Sequence, residues 1–552
     1  MLNPTLSQKN GQSLSSPTID DRAKRLFQLV YSEQHQEEKD DDTPKIKVST
    51  LISRLSFYYE KIRNTVDYKE EHLLRKNAIE RILKREIIIQ GVFQEVKSSE
   101  VAKHLLTELI RAAYLPNNKI PETKIEEVTV VISKYMALRK YGLKNLDEEN
   151  PFKKELSNWV IGIAASEIEE QLGRSEVVQS IVEYMYETMQ ENIQLEDDIQ
   201  HQKDKEIQIY LSIHRDFLKF DRDMLSFILL KYYNKGWKSA GEQQIMDLAK
   251  NIGAMHEAMN FQLEHPLNKQ IDRLASRYTV LFSILRDVIE DDPVGVFNSI
   301  KHDPKAFPRA IKRICEKRYK DTGSKLWRAA VRSILYIFVT KSILVFILEI
   351  PATTLFGEAV NYMSLAINIT FPPFLLFLIV MFTPLPSEDN TKKIIEGIGQ
   401  IIFVENERKE PYKLKAPIEV KHRMNTFFTI LYSFTFFISF GIVIWILKRI
   451  NFNFVSIIIF LFFLTLISFF SIRIRKRVRE LIIVDVKESV LSLFADFFYT
   501  PILAVGKFIS ERFSKINVFI FILDFIIEAP FKIFVEIAEE WSKYVKSRRD
   551  QI

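Results

Sequence analysis

The sequence predicts an all-α protein: an N-terminal helical soluble domain, then an α-helical membrane domain, then an amphipathic C-terminal tail. Three observations carry this. Residues up to about 320 are rich in Lys, Glu, Asp and Gln, with apolar residues at helical spacing. Ile334–Phe534 is instead dominated by Ile, Phe, Leu and Val in runs too long for a soluble core helix. Glycine is scarce, 15 in 552 residues, and falls mainly where periodic runs end.

Residues 1–45 read as a disordered tail and linker, because "QHQEEKDDDTPK" and the first nineteen or so residues are polar and aperiodic. The opening residues hold no apolar core of a cleaved signal peptide, so the N-terminal segment is expected to stay in the cytoplasm. Residues 46–320 are expected to form a cytoplasmic all-α domain. Gly142, Gly173 and Gly236 each follow a periodic run, and Asn150 before Pro151 suits a helix start. Thr123 with Glu126 has the spacing of a capping box. Leu156, Trp159, Val160 and Ile163 would face a core, and Ile209–Trp237 reads as one long packing helix with Phe217, Phe220, Met224, Ile228 and Tyr232 on its stripe.

The membrane domain is expected at 321–480, with spans near 333–350, 362–383, 426–447 and 452–472. Basic residues precede the first span, follow the fourth in "RIRKRVR", and fill the loop between the second and third. By the positive-inside rule the N-terminal domain, this loop and the C-terminus lie in the cytoplasm, which makes the chain a multi-pass protein of a cell inner membrane. The turn "KRINFN" disagrees, placing two cations outside, where snorkelling tolerates them. Residues 481–552 read as amphipathic membrane-associated helices. Asp524, Glu528, Lys532 and Glu536 recur every four residues as one polar stripe, and a hairpin there would raise the spans to six. "TKKIIEGIGQIIF" reads as a short amphipathic helix resting on the membrane, with Ile394, Ile398, Ile401 and Ile402 on one side.

Catalytic signatures are incomplete. His214-Arg215-Asp216 begins a kinase catalytic loop, yet Asp221 stands where Asn is needed. "HEAMN" at 256–260 begins a zinc-protease helix, yet Asn260 replaces the second histidine. Cys315 is the only cysteine, which excludes an internal disulfide and a thiolate-rich metal site. No enzyme activity, cofactor or metal is therefore expected. Arg313, Lys317, Arg318, Lys325, Arg328, Arg473, Arg475, Lys476, Arg477 and Arg479 flank spans, so anionic lipid headgroups are their expected partners rather than nucleic acid.

One feature points inside the bilayer. Lys341 lies near mid-depth of the first span, where an unpaired ammonium costs roughly 2.5–3.5 kcal/mol. Pro372 and Pro373 in the second span cannot donate backbone hydrogen bonds, which frees the carbonyls of Asn368 and Ile369. Those carbonyls and the Asn368 side chain are the expected cap on Lys341, with Asp524 or Glu528 as the rival and Glu349 as the other charge of the span. The function expected is a membrane scaffold or assembly factor that binds a protein partner through residues 46–320. A small transporter or channel subunit built around Lys341 is the alternative, and a second copy of the chain is a further candidate partner.

Overall fold

A computed structural model describes residues 18–35, 43–67, 73–89, 97–144, 146, 150–173, 175–195, 202, 204–303, 305–357, 359–406, 408, 410–415, 422–484, 490–515 and isolated positions between 534 and 549. It is 82% helical, with four helices among the described residues long and apolar enough to cross a membrane. The chain divides into two compact units that do not follow its linear order: Met1–Gln36, Ser180–Glu196 and Ser276–Phe508 in one, and Glu37–Gln179, Asp197–Ala275 and Ile509–Ile552 in the other.

The second of these is a helical bundle. Helix Pro151–Gly173 buries Leu156, Trp159, Val160, Ile163 and Ile168, and Asn150 starts it by accepting a hydrogen bond from Phe152 N at 2.9 Å. Helix Thr123–Gly142 has no side-chain cap; its N-cap is Glu122, so Thr123 is already helical and the expected capping box is not made. The single helix expected over Ile209–Trp237 is two, Lys205–Asp216 and Arg222–Tyr233. The break is local chemistry: Lys219 takes a positive φ of 55°, and the Asp221 carboxylate accepts from Met224 N at 2.9 Å to cap the second helix. Met224 and Ile228 are buried, whereas Tyr232 is exposed.

Two charge networks lock this core. Lys76, 1% exposed, donates to Glu80, Asp221 and Asp223 at 2.9, 2.8 and 2.9 Å. Lys134 donates to Glu167 at 2.7 Å and to the Trp237 carbonyl at 3.1 Å, while the Tyr135 hydroxyl donates to the same carboxylate at 2.7 Å. All three ammonium protons of Lys76 are used, and Lys134 adds to its two hydrogen bonds a position 4.9 Å from the Trp237 ring centroid, so both buried charges are compensated.

In the other unit, segments from three parts of the chain are knitted together. Asp20 N donates to Ile402 O at 2.8 Å, Tyr184 OH to Ile401 O at 2.6 Å, and strand Ile193–Leu195 pairs in parallel with Tyr412–Leu414. Helix Glu388–Ile402 is amphipathic as its sequence implies, but Ile394, Ile398 and Ile402 are fully buried by protein rather than laid on lipid. Gly397 permits the approach, since a Cβ there would sit 2.8 Å from Leu281 Cδ2.

The first span is the end of a rod. Helix Ala306–Leu344 continues through a π-helical stretch, Val345–Glu349, into helix Ile350–Leu355, giving 50 residues and a length of about 75 Å. The other spans are Tyr362–Met381, Thr426–Arg449 and Phe454–Arg479. Leu326 and Ala330 of the first span pack with Leu376 and Val380 of the second and Ile467 and Val478 of the fourth. Asn361 Nδ2 donates to Asn451 O at 3.0 Å, so the start of the second span and the turn between the third and fourth lie at one end. Helix Val490–Lys515 packs on the later spans: Ser439 Oγ donates to Phe498 O at 2.9 Å, and Gly506 lies against the Thr465 carbonyl so tightly that a Cβ would clash at 2.1 Å. Asp524 and Glu528 lie outside the described residues.

Candidate functional site in the membrane spans

Two charges on one helix converge with polar groups of two others. Lys341, Glu349, Asn368 and Ser456 are all 0% exposed, although the surrounding surface of the first span is open: Leu335, Tyr336, Phe346 and Ile347 are at least 60% exposed. The π-helical stretch sets the convergence. At about 100° per residue, eight α-helical steps would leave Glu349 about 80° round the helix from Lys341; one extra residue in a π turn takes about 100° back, bringing the two to within about 20°.

Asn368 Nδ2 donates to Glu349 Oε1 at 2.6 Å and to Ser456 O at 3.2 Å, and Ser456 Oγ donates to the same Glu349 oxygen at 2.7 Å. Both amide protons of Asn368 thus face acceptors, which fixes its orientation, because the flipped amide would set oxygen against oxygen. Glu349 Oε2, Asn368 Oδ1 and Lys341 Nζ have no hydrogen-bond partner among the described residues. Lys341 instead rests on the Phe463 ring, 4.0 Å from its centroid. Ser456 and Phe463 are seven residues apart on the fourth span, an axial rise of about 10 Å between the residue that bonds Glu349 and the ring that carries Lys341.

The cap expected on Lys341 from the freed carbonyls of Asn368 and Ile369 is therefore not formed, and the Asn368 side chain serves Glu349. Pro372 and Pro373 are both buried and helix Tyr362–Met381 runs on through them. Glu349 and Asn368 were visible in the sequence, but not as partners. Ser456 and Phe463 were not singled out. The one signal was Asn453, a good N-cap whose side chain accepts from Ser456 N at 2.7 Å and so marks where the fourth span begins.

The flanking cations divide into two groups. Arg318 donates to Asp287 at 2.6 Å and to Ser283 Oγ at 3.1 Å, Arg313 pairs with Asp291, and Arg475 donates to Ser471 Oγ at 3.2 Å. Lys317, Lys325, Arg328, Arg473, Lys476, Arg477 and Arg479 are exposed beside the spans, with Lys476 3.9 Å from Glu480. Elsewhere, His214 is buried with its Nδ1 2.8 Å from Tyr210 O, and burial pushes its pKa down to about 4. His256 packs against Trp159 and Phe152 with ring centroids 4.8 and 6.0 Å away. No group of His, Cys, Asp and Glu among the described residues could hold a metal ion. No family model, curated protein or solved structure matches this chain.

Proposed function

We propose that this chain is a small transporter or channel subunit whose intramembrane cluster of Lys341, Glu349, Asn368 and Ser456 handles a polar solute or ion. One observation carries the reading: three fully buried polar atoms at this cluster have no hydrogen-bond partner among the described residues. A contact that served packing alone would satisfy its members, since an orphaned buried polar group costs on the order of 1–3 kcal/mol. Such groups inside a bilayer mark solute and ion pathways more often than packing contacts. The chain sits in the cell inner membrane with its N-terminal domain, the 384–425 loop and its C-terminus in the cytoplasm, following the distribution of its cations. The exposed cations beside the spans contact anionic headgroups.

The test is flux in proteoliposomes loaded with sodium, protons or mixed amino acids. Selective flux with the native chain, abolished by Glu349→Gln, supports the reading; background flux for every solute refutes it.

A second reading, a scaffold that binds a protein partner through residues 46–320, is favoured by helix Thr50–Asp67. Its Phe57, Tyr58 and Ile62 side chains are 42%, 63% and 61% exposed on neighbouring positions. Crosslinking of the full chain in native membranes from a photoreactive residue at 58 tests this, and an absence of any crosslinked protein sinks it.

A further inference from the structure

We infer that the intramembrane site takes a zwitterion, an ω-amino acid whose ammonium binds Glu349 and Asn368 and whose carboxylate binds Lys341. The inference rests on the transport reading and names its substrate class.

Donor and acceptor character sets the polarity of the guest. At one end the open atoms are Glu349 Oε2 and Asn368 Oδ1, both acceptors; at the other the open atom is Lys341 Nζ, a donor. A guest must therefore donate toward Glu349 and accept near Lys341. As they stand, neither end satisfies the other. Glu349 Oε1 is already held by Asn368 and Ser456, the Asn368 amide protons are both in use, and no ion pair joins Lys341 to Glu349.

Charge sets the rest. The cluster holds one ammonium and one carboxylate, so it is neutral as built, and all four of its polar side chains are 0% exposed. A lone cation or anion would add a net charge at a depth where charge is costly. A zwitterion brings opposite charges to opposite ends and leaves the total at zero. Length follows from the axial rise between Ser456 and Phe463, which carry the two ends of the site, about 10 Å along the span. With a hydrogen bond of about 2.8 Å at each end, roughly 5 Å remains between the guest's nitrogen and carboxylate. That is the reach of a chain of about three methylenes, and longer than glycine.

The test measures thermal unfolding of the full-length chain in mild detergent with glycine, β-alanine or γ-aminobutyrate, and with butyrate, n-butylamine and sodium chloride as probes of unbalanced charge. Lys341→Met and Glu349→Gln are the controls; Gln keeps an acceptor for Asn368 and Ser456 but replaces the open oxygen with a donor. The expected result is a rise of about 3 °C or more with γ-aminobutyrate, smaller with β-alanine, absent with glycine and with the singly charged probes, and lost in both variants. A rise with n-butylamine or sodium that survives Lys341→Met and disappears in Glu349→Gln overturns the zwitterion and leaves an intramembrane cation site standing. No shift with any probe overturns both the substrate class and the transport reading.

Discussion

Replacing Lys341 with Met separates a ligand-binding charge from a packing contact. Removing an ammonium from mid-bilayer returns roughly 2.5–3.5 kcal/mol. Against this stands the contact with the Phe463 ring, worth about 2 kcal/mol when desolvated. Attraction to Glu349 over about 10 Å adds about 1.7 kcal/mol at an effective dielectric constant of roughly 20. These contributions cancel to within about 1 kcal/mol, and since Nζ makes no hydrogen bond, Met strands no partner. Asn368→Leu is the opposite case. It removes a bond to a charged acceptor at 2.6 Å and another to a backbone carbonyl at 3.2 Å. Two such bonds are worth about 2 kcal/mol even after allowance for the modest yield of polar contacts between membrane helices.

Cys315 supplies the assay, being the only cysteine and fully buried in the helix that becomes the first span. A thiol-reactive fluorogenic dye added during heating reports when that helix opens. The expected result is an unchanged midpoint for Lys341→Met and a fall of about 4–8 °C for Asn368→Leu. A fall for Lys341→Met as large as that for Asn368→Leu would refute the reasoning, because it would show that the ammonium holds the spans together.

Three further outcomes are expected. Deleting Ile347 restores regular α-helix and swings Glu349 about 100° away from Asn368 and Ser456, so dye labelling of Cys315 should begin at lower temperature; an unchanged midpoint would mean that the π turn does not align the cluster. Asn390 is 1% exposed, donates to Tyr319 OH and Leu481 O at 2.9 and 2.8 Å, and accepts from Ile483 N at 2.8 Å, so Asn390→Leu should destabilise this unit by about 2–4 kcal/mol, with faster hydrogen exchange at 388–402 as the reading. Burial opposes the charge of Glu80, yet Lys76 and Lys84 hold its carboxyl down at about 2 against an ordinary 4.5. Its stabilising contribution is therefore present above pH 4.5 and lost as the pH falls toward 2, partly offset by Asp223, whose carboxyl burial raises. Protection factors over 74–89, corrected for the intrinsic exchange rate at each pH, should fall across that window and stay level between pH 5 and 7.

The spans were legible because length and apolarity alone define them: the helices at 426–449 and 454–479 outrun the expected 426–447 and 452–472 at their C-terminal ends, where Lys448, Arg449 and the basic run 473–479 prolong the helix past the apolar stretch. The break at 217–221 was missed because apolar periodicity runs through it, while the deciding signal was one capping carboxylate, Asp221. For helix Glu388–Ile402 the apolar face was read correctly and its partner was not, since a row of isoleucines does not distinguish lipid from Leu281. The intramembrane cluster needed two facts that periodicity does not carry. A π turn changes the face on which Glu349 lies, and Ser456 reaches Glu349 across 107 residues of chain.

The unbroken rod from Ala306 to Leu355 also acts as a lever. It is clasped at Arg318 by Asp287 and at Tyr319 by Asn390, and from there thirty residues, about 45 Å, lead to Glu349. A tilt of about 5° at the clasp would carry the carboxylate about 4 Å, well beyond the reach of a hydrogen bond. Small angular changes where the rod meets Asp287 and Asn390 are thus amplified into making or breaking the cluster, giving those two side chains leverage over an event some thirty residues away along the rod.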